Sequence, residues 1–344
     1  MYFPNIGCIF NSSLCNFDYR LTPGGLMITI LALLGITISY LLLKQKYKDP
    51  GKKLLIMGMG VLLFELFTAP MWNTSHLGFF SYFYNDLSIT LTIGWIVIFQ
   101  LSIHLIESFF PKSPAINKFI LYLIPVTVFT IMAENMLVAL GIRSYAPEVL
   151  AISAGGLGMV PIEVLYYAPT FGILVLSFYF AWTQTVKNSL ITAFNKANLF
   201  STALILAVGI TLYELLIEPL VRTPGYPSWS YFYHDISFVR VGVWVLMIFA
   251  GMWLGSKFVK NGPKQNISNH FGVYLLSSSL VFYIVEVVLL ASKGRIYTES
   301  VTSNFTGVTV PILGTPVEVV LAIVLYQVLI ISFLKYWRSV LFAK

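Results

Sequence analysis

Apolar residues recur along this chain in runs of about twenty, and short polar segments separate the runs. A helix of about twenty apolar residues is long enough to cross the hydrocarbon core of a bilayer. The runs are continuously apolar and do not alternate with polar positions, which favours helices over the strands of a membrane barrel. The pattern predicts nine membrane-spanning helices, at residues 25–43, 54–71, 88–107, 119–141, 160–183, 197–219, 238–256, 271–292 and 311–334.

The composition agrees with this pattern. Of the 344 residues, 58% are hydrophobic and 10% are charged, whereas about a quarter of the residues in a soluble domain are charged. The predicted fold class is therefore an all-α, polytopic membrane helical bundle. The first residues lack a basic segment followed by an apolar core, so we expect no cleavable signal peptide.

The net charge of +7 is divided unequally between the two sides of the predicted bundle. Fifteen lysines and arginines fall on the segments of one side and six on the other. Because basic residues concentrate on the cytoplasmic side of membrane proteins, we predict an outside N-terminus and a cytoplasmic C-terminus. We expect these residues to contact membrane lipid and expect no binding of nucleic acid.

The second half of the chain resembles the first. Leu62–Phe99 aligns without gaps onto Thr211–Ile248, at a constant offset of 149 residues. The loop sequence SYFYND in the first half falls on SYFYHD in the second. Further along the chain, the matched pairs are Glu134 with Glu286, Tyr145 with Tyr297, and Pro161–Val164 with Pro316–Val319.

This alignment predicts three segments. Residues 1–53 form an N-terminal tail and the first helix, residues 54–183 form a first four-helix repeat, and residues 184–344 form a second. Because each repeat has an even number of helices, both have the same orientation in the membrane. We therefore predict parallel repeats, related by rotation about an axis along the membrane normal.

Carboxyl groups within the predicted spans are the main candidates for chemistry. A charge near the centre of a lipid-facing helix costs about 2.5–3.5 kcal/mol on insertion scales, so such residues face a protein interior or a cavity. Their matched depths predict one shared cavity, in which a protonated carboxyl donates a proton and an ionised one accepts it. The alternative is that they cap helices or bond to Tyr and Trp. The predicted acids and bases are Glu163, Glu318, Glu134 and Glu286, with Glu65 and Glu214 as alternates, and Glu218 lies at a similar depth.

Aromatic residues lie at the same predicted level. They form either the aromatic belt of the membrane interface or a pocket wall whose π faces stabilise a cation. Asp86 and Asp235 close the matched loop and either cap the next helices or take part in catalysis. The aromatic residues predicted to bind substrate are Tyr82, Tyr84, Tyr145, Tyr166, Tyr231, Tyr233, Trp229 and Tyr297.

Other kinds of site have no sequence signal. No nucleotide-binding glycine motif and no HExxH or Cys/His cluster is present, and no lysine lies mid-span to form a retinal Schiff base. Cys8 and Cys15 form either a disulfide or two free thiols, and their count and spacing do not support a metal site. We therefore expect no cofactor and no metal, and assign any chemistry to carboxylates and aromatics.

One segment resembles the integral-membrane lycopene cyclase domain family. The family has an acid at a helix end, a Gly-aromatic-x-Tyr loop, and a Gly-x-Pro-x-Glu-Glu segment followed by two aromatics. The resemblance implies a cofactor-free cyclisation of a linear carotenoid, started by a proton. The residues that carry it are Glu134-Asn135-Met136, Gly141–Tyr145 and Gly158–Tyr167, with a fainter second copy at Glu286, Gly294–Tyr297 and Gly314–Val319.

The chain departs from that family at two places. The second glutamate of the family is Val164 here and Val319 in the other copy, and Arg143 or Ser144 stands where the family has a loop tryptophan. A related family of membrane carotenoid hydratases carries similar acid, Tyr-x-Tyr and Gly-x-Pro elements. The addition of water is therefore an alternative to ring closure.

Together these features predict an integral membrane enzyme that acts on a long hydrophobic isoprenoid. Protonation of a terminal double bond gives a tertiary carbocation, aromatic faces stabilise it, and a carboxylate removes a proton after ring closure. Two alternatives fit the same residues. One is a proton-coupled transporter that uses the carboxylate cluster, and the other is a non-catalytic lipid-binding subunit.

The charge asymmetry makes a testable prediction about topology. Reporter domains fused at Lys48 and at Lys344 should both report the cytoplasmic side, because both positions belong to the basic set of segments. The measurement is the activity of a reporter that works on one side of the membrane only. Reporters on opposite sides at these two positions would rule out an odd number of spans.

Overall fold

A computed structural model describes residues 18–183, 199–258, 267–310 and 314–342 of the chain. Within these residues, nine helices are long and apolar enough to cross a membrane. Eight of them begin and end within four residues of the predicted spans, whereas the last, predicted at 311–334, is Val317–Phe342. The predicted class of an all-α polytopic helical bundle is confirmed. Cys8 and Cys15, for which a disulfide or two thiols were considered, lie outside the described residues.

The helices include two short ones in loops. The helices are α1 (Pro23–Lys46), α2 (Pro50–Thr68), α3 (Ile89–Phe109), α4 (Ala115–Ala139), α5 (Pro147–Ile152), α6 (Val164–Thr183), α7 (Leu199–Ile217), α8 (Phe238–Phe258), α9 (Ile267–Ala291), α10 (Glu299–Thr302) and α11 (Val317–Phe342). The strands are β1 (Trp72–Thr74), β2 (Tyr82–Tyr84), β3 (Leu87–Ser88), β4 (Arg143–Tyr145), β5 (Gly156–Leu157), β6 (Val160–Pro161), β7 (Val221–Arg222), β8 (Tyr231–Tyr233), β9 (Ile236–Ser237) and β10 (Ile296–Tyr297).

The chain divides into two compact units. Unit 1 contains Met1–Tyr179 and Glu299–Gly307, and unit 2 contains Phe180–Thr298 and Val308–Lys344. The first division falls near residue 183, where the first repeat was predicted to end. Rotation of one repeat onto the other about the membrane normal stays a prediction.

In unit 1, helix α1 begins and ends where simple rules place it. The Thr22 side chain accepts a hydrogen bond from the Gly25 N–H at 3.2 Å, and Pro23 occupies the first turn, where its missing N–H costs nothing. Lys44 and Lys46 occupy the last turn, where they face the negative end of the helix dipole. The helix packs on α3 and α2 and exposes most of its remaining apolar surface.

A short two-stranded sheet joins two distant loops of unit 1. Strand β1 follows α2, strand β4 follows α4, and the two pair antiparallel, with Trp72 opposite Tyr145 and Thr74 opposite Arg143. In unit 2, β7 follows α7 and β10 follows α9, and these two strands pair in the same manner, with Val221 opposite Tyr297. In each unit this pairing places an arginine and a tyrosine at the end of the helices. They are Arg143 and Tyr145 in unit 1 and Arg295 and Tyr297 in unit 2.

Tight hairpins follow the sheet loops. The hairpin β2–β3 turns at Asn85 and the hairpin β8–β9 turns at His234, and both residues have a left-handed backbone, with φ of 46° and 39°. Asn is one of the residues that tolerates this conformation best. The hairpins are the structural form of the matched loop SYFYND and SYFYHD.

Two helices of unit 2 approach closely at small residues. A Cβ atom on Gly251 of α8 would lie 2.3 Å from the Ser278 Cα of α9, and a Cβ on Gly255 would lie 2.5 Å from the Ser277 Oγ. Small residues four positions apart are typical of close helix pairs in membranes, because packing must supply the attraction that hydrophobic burial supplies in water. The pair α8–α9 therefore depends on these glycines.

The close contact between α8 and α9 predicts that a Gly→Ala substitution has different effects on stability at two positions of α8. Gly251→Ala should lower stability by about 1–3 kcal/mol, because the added methyl group meets backbone. Gly242→Ala is the matched control, since no atom lies within 4 Å of its Cβ position, and it should leave stability unchanged or raise it. Thermal unfolding of the purified variants in detergent measures both. Equal melting temperatures would contradict the close contact.

Candidate functional site

Unit 1 contains a pocket that combines carboxyl groups with aromatic rings. It lies at one end of α2, α3, α4 and α6, where the β1–β4 sheet covers it, and its cavity volume is about 50 Å³. This volume is below the range of about 300–1,000 Å³ that is usual for small-molecule sites. The lining residues are Phe64, Glu65, Trp72, Trp95, Thr130, Glu134, Arg143, Tyr145, Val164, Tyr167, Ala168 and Phe171.

Glu134 is held by two partners at the wall of this pocket. Arg143 Nη1 donates a hydrogen bond to Glu134 Oε1 at 2.6 Å, and the Tyr145 hydroxyl donates to Glu134 Oε2 at 3.0 Å. The side chains of the ion pair are 3% and 8% exposed. Burial and the neighbouring carboxylate raise the pKa of Tyr145 above its ordinary value, so its hydroxyl stays protonated and remains a donor.

The Arg143 guanidinium also lies against two indole rings. Its centre is 4.6 Å from the Trp72 ring centroid and 5.9 Å from that of Trp95. Aromatic faces at this distance attract a cation, and arginine is the cation that most often uses them. The rings therefore contribute to the environment that keeps Arg143 charged away from water.

Glu65 is the second carboxyl group of the pocket, and it is surrounded differently. Glu65 is 3% exposed, the Thr92 hydroxyl donates a hydrogen bond to its Oε2, and Trp95 lines the same pocket. The ion pair with Arg143 is made by Glu134. The pocket thus holds two carboxyl groups and one guanidinium.

Unit 2 contains a corresponding set of residues. Arg295 Nη1 donates to Glu286 Oε2 at 3.0 Å, and the Tyr297 hydroxyl donates to Glu286 Oε1 at 2.7 Å. The Arg295 guanidinium lies 5.1 Å from the Trp244 ring. Burial raises the pKa of the Tyr297 hydroxyl, as it does at Tyr145.

The two sets differ in their charge. In unit 2, Arg240 forms an ion pair with Glu214, and both side chains are almost fully buried. At the offset of 149 residues, Arg240 corresponds to Leu91 and Glu214 corresponds to Glu65. The set in unit 2 therefore has a guanidinium for each carboxyl group, whereas Glu65 has Leu91 where Glu214 has an arginine.

Glu163 holds a loop. Its Oε1 accepts the Ala154 N–H at 2.8 Å and its Oε2 accepts the Ser153 hydroxyl at 2.6 Å, which fastens the segment between α5 and α6. It lies just before α6, and its counterpart Glu318 lies in the first turn of α11. Glu218, the additional acid of the sequence, bonds to His234 Nδ1 at 2.6 Å.

Of the six predicted acids and bases, Glu65 and Glu134 line the pocket of unit 1. Glu214 and Glu286 belong to the set in unit 2. One cavity shared by all of them stays a prediction.

The predicted aromatic residues have several different environments. Tyr145 lines the pocket, and Tyr166 packs edge-on against Tyr167, which also lines it. The hydroxyls of Tyr82 and Tyr231 accept loop N–H groups, Leu77 and Tyr226 respectively, each at 3.2 Å. Trp229 is 75% exposed, as expected for a residue of the interfacial belt. Tyr84 and Tyr233 lie in the hairpin strands β2 and β8, and Tyr297 belongs to the set in unit 2.

The interpretation of Asp86 as a helix cap is wrong. Ser88 caps α3 by accepting the Leu91 N–H, and Asp86 instead accepts the Thr74 N–H at 2.7 Å. Burial raises the pKa of Asp86 to about 6, against the opposing effects of that hydrogen bond and of Arg143. The residue thus fastens strand β1, which positions Trp72 at the pocket.

Sequence reasoning missed the arginines. Arg143 and Arg295 were counted among the six basic residues that set topology, and Arg240 was counted with them, yet these three are buried ion-pair partners. A signal was present, because Glu-x8-Arg-x-Tyr occurs at Glu134 and again at Glu286 with identical spacing.

The buried pair predicts a large effect from removing one partner. Arg143→Gln should lower the stability of the protein by about 3–5 kcal/mol, because Glu134 then keeps a buried charge without its cation. Arg222→Gln is the matched control, since that side chain is exposed, and it should change stability by less than about 0.5 kcal/mol. The double variant Arg143→Gln with Glu134→Gln should recover part of the loss. Unfolding in denaturant measures all three, and equal losses for Arg143→Gln and its control would contradict the role of the pair.

The described residues belong to a membrane-embedded helical protein with a carboxyl-rich aromatic pocket in unit 1. Within the described ranges, no three His, Cys, Asp or Glu side chains come together in a group that could hold a metal ion. Comparisons with protein-family models, with curated proteins and with solved structures found no match to this chain.

Proposed function

We propose that unit 1 carries the active site of an integral membrane enzyme that protonates a carbon–carbon double bond of a long isoprenoid, a linear carotenoid. The observation that carries the proposal is the buried carboxyl group of Glu65, which faces an aromatic pocket whose arginine is already paired with Glu134. Glu65 is the acid, whereas the sequence favoured Glu163 and Glu318 and gave Glu65 as an alternate.

The reasons for choosing Glu65 are its surroundings and its charge. Burial of an isolated carboxylate is costly, and such a group avoids the cost by keeping a proton. Glu134 is stabilised as the anion by Arg143 and Tyr145, and the carboxylate of Glu163 is engaged by loop donors. Glu65 is thus the pocket carboxyl best suited to deliver a proton to an alkene.

The proposed reaction needs no cofactor. The Glu65 carboxyl gives its proton to a terminal C=C bond, which leaves a tertiary carbocation and a Glu65 carboxylate. The rings of Trp72, Trp95 and Phe171 and the Glu65 carboxylate stabilise the positive charge. A neighbouring C=C bond then closes a ring, and the Glu65 carboxylate removes a proton from the adjacent carbon, which restores the acid. If water adds to the cation in place of ring closure, the product is an alcohol and the water proton returns to Glu65.

Unit 1 is preferred over unit 2 because of the arginine count. Glu214, the counterpart of Glu65, is engaged in a buried ion pair with Arg240. The set in unit 2 is therefore suited to a structural role. Because of this difference, a substitution in unit 2 serves as a control for the matched substitution in unit 1.

A transporter is the second candidate, and one observation favours it. The same Glu-Arg-Tyr arrangement is found in both units, and parallel repeats with buried carboxyl groups also suit proton-coupled movement of a solute. The two functions differ in what Glu65 does, since an enzyme changes its substrate and a transporter releases it unchanged.

The enzyme proposal predicts the effect of Glu65→Gln. This near-isosteric change removes the proton donor, so conversion of a linear C40 carotenoid should fall by about 10²-fold or more. Glu107→Gln is the matched control, because Glu107 forms a more exposed ion pair with Lys46 away from the pocket, and it should convert at the parent rate. The measurement is extraction of pigments from cells that supply the linear carotenoid, at matched protein levels.

Two results would contradict this proposal. One is full conversion by Glu65→Gln, which would exclude Glu65 as the acid. The other is a parent protein that converts no linear carotenoid, and acidification of its vesicles on addition of a solute would then favour the transporter. Glu214→Gln should retain conversion if the folded protein is recovered, because its carboxyl is assigned a structural role.

A further inference from the structure

Unit 1 contains a second cavity, an apolar groove between α1, α3 and α4. Its cavity volume is about 170 Å³, and its wall is formed by side chains such as Ile28, Leu91, Ala133 and Leu137. Thr90 and Trp95 supply its polar atoms, and the Thr90 hydroxyl already accepts a hydrogen bond from Ser81 at 2.7 Å. No charged side chain lines this groove, so it offers nothing to bind a phosphate or another ionic headgroup.

The groove exists because α1 touches its neighbours at two glycines and leaves a gap between them. A Cβ on Gly25 would lie 2.0 Å from the His76 carbonyl oxygen, and a Cβ on Gly35 would lie 2.7 Å from Val97 of α3. Ile28 and Ala32, which line the groove, lie between these two contacts. The opposite wall is formed by Gly94, where no atom lies within 4 Å of the Cβ position.

The groove meets the carboxyl pocket at Trp95. This residue lines both cavities, and Glu65 lines the carboxyl pocket together with it. A chain that lies in the groove therefore has its end next to the proposed acid. In the second repeat, Val243 takes the place of Gly94, and α1 precedes the first repeat in the sequence. Helix α1 and the open position at Gly94, which together form the groove, thus both belong to unit 1.

We propose that this groove binds the hydrocarbon chain of the isoprenoid substrate and that Trp95 is the point where the chain passes from the groove to Glu65. This inference rests on the proposed function and adds where the substrate is held. A headless polyisoprenoid fits better than a phospholipid, because the lining is uncharged and small residues leave room for a thin chain. The substrate reaches the site from the lipid phase and need not enter water.

The test uses photolabelling of the purified full-length protein in detergent with a diazirine-bearing geranylgeraniol. Peptide mass spectrometry should place the label on α1, α3 and α4, and the linear C40 carotene lycopene should compete with it. Gly94→Leu should lower labelling by at least about tenfold, because excluding two methylene groups from an apolar site weakens binding by about that factor. Gly242→Leu is the matched control, since its Cβ position is also open but lies on α8, and it should label normally.

Three results would overturn the proposal. They are normal labelling of Gly94→Leu, a label outside these helices, and equal competition by dioleoylphosphatidylcholine, which would show a site for bulk lipid. If Gly94→Leu does not fold, Ala133→Leu on the opposite wall takes its place with the same expected loss. Glu65→Gln should still be labelled, so that the two proposals can fail separately. If the groove is labelled but the protein converts no carotenoid, the binding of an isoprenoid chain is supported and the enzyme proposal is excluded.

Discussion

The ion pair between Arg143 and Glu134 is the interaction on which the pocket of unit 1 depends. A single charge placed in a hydrocarbon environment costs several kcal/mol, and two opposite charges offset this cost only when their geometry is close and their remaining polar atoms are bonded. Tyr145 meets this requirement for Glu134, and the faces of Trp72 and Trp95 assist Arg143. The pairing of β1 with β4 and the hydrogen bond of Asp86 to Thr74 both hold this arrangement in place.

The two units share one arrangement of glutamate, arginine and tyrosine, and they differ in the number of buried arginines. Each has a glutamate bound by an arginine and a tyrosine nine and eleven residues further along the chain. They differ at one matched position, which is Leu91 in unit 1 and Arg240, the ion-pair partner of Glu214, in unit 2. Under the proposed function, this difference separates a carboxyl group that donates a proton, Glu65, from one that is held in an ion pair, Glu214.

Sequence reasoning predicted the helices well because membrane spans are set by a simple solvent constraint. About twenty apolar residues must satisfy their backbone groups internally, and this constraint predicted the bounds of eight of the nine described helices within four residues. The loop hairpins also follow from the matched motif. The choice among the glutamates did not follow, because depth along a helix does not tell which way a side chain points. Glu65 and Glu163 have similar predicted depths, yet one faces the pocket and the other bonds to a loop.

The arginines were missed for a related reason. A basic residue at the end of a span is usually a topology signal, and only the pairing of strands some seventy residues apart turns Arg143 toward Glu134. The same applies to Asp86, since Ser88 is an equally good helix cap two residues later and the long-range contact with Thr74 decides between them. Local sequence rules describe the elements, whereas the contacts between loops that are distant in sequence determine the site.

Under the proposed function, the hydrophobicity of the substrate also constrains the chemistry of the site. Moving a hydrocarbon chain from lipid into water costs about 0.8 kcal/mol for each methylene group, so a long isoprenoid is effectively confined to the bilayer. An enzyme for such a chain must bring the proton to the substrate, which requires a polar group inside the hydrocarbon region. A carboxyl group is a suitable carrier, because its protonated form is neutral and its burial costs far less than that of an ion. Glu65 beside an apolar groove combines these requirements, since the carboxyl group and the open groove meet at one indole ring.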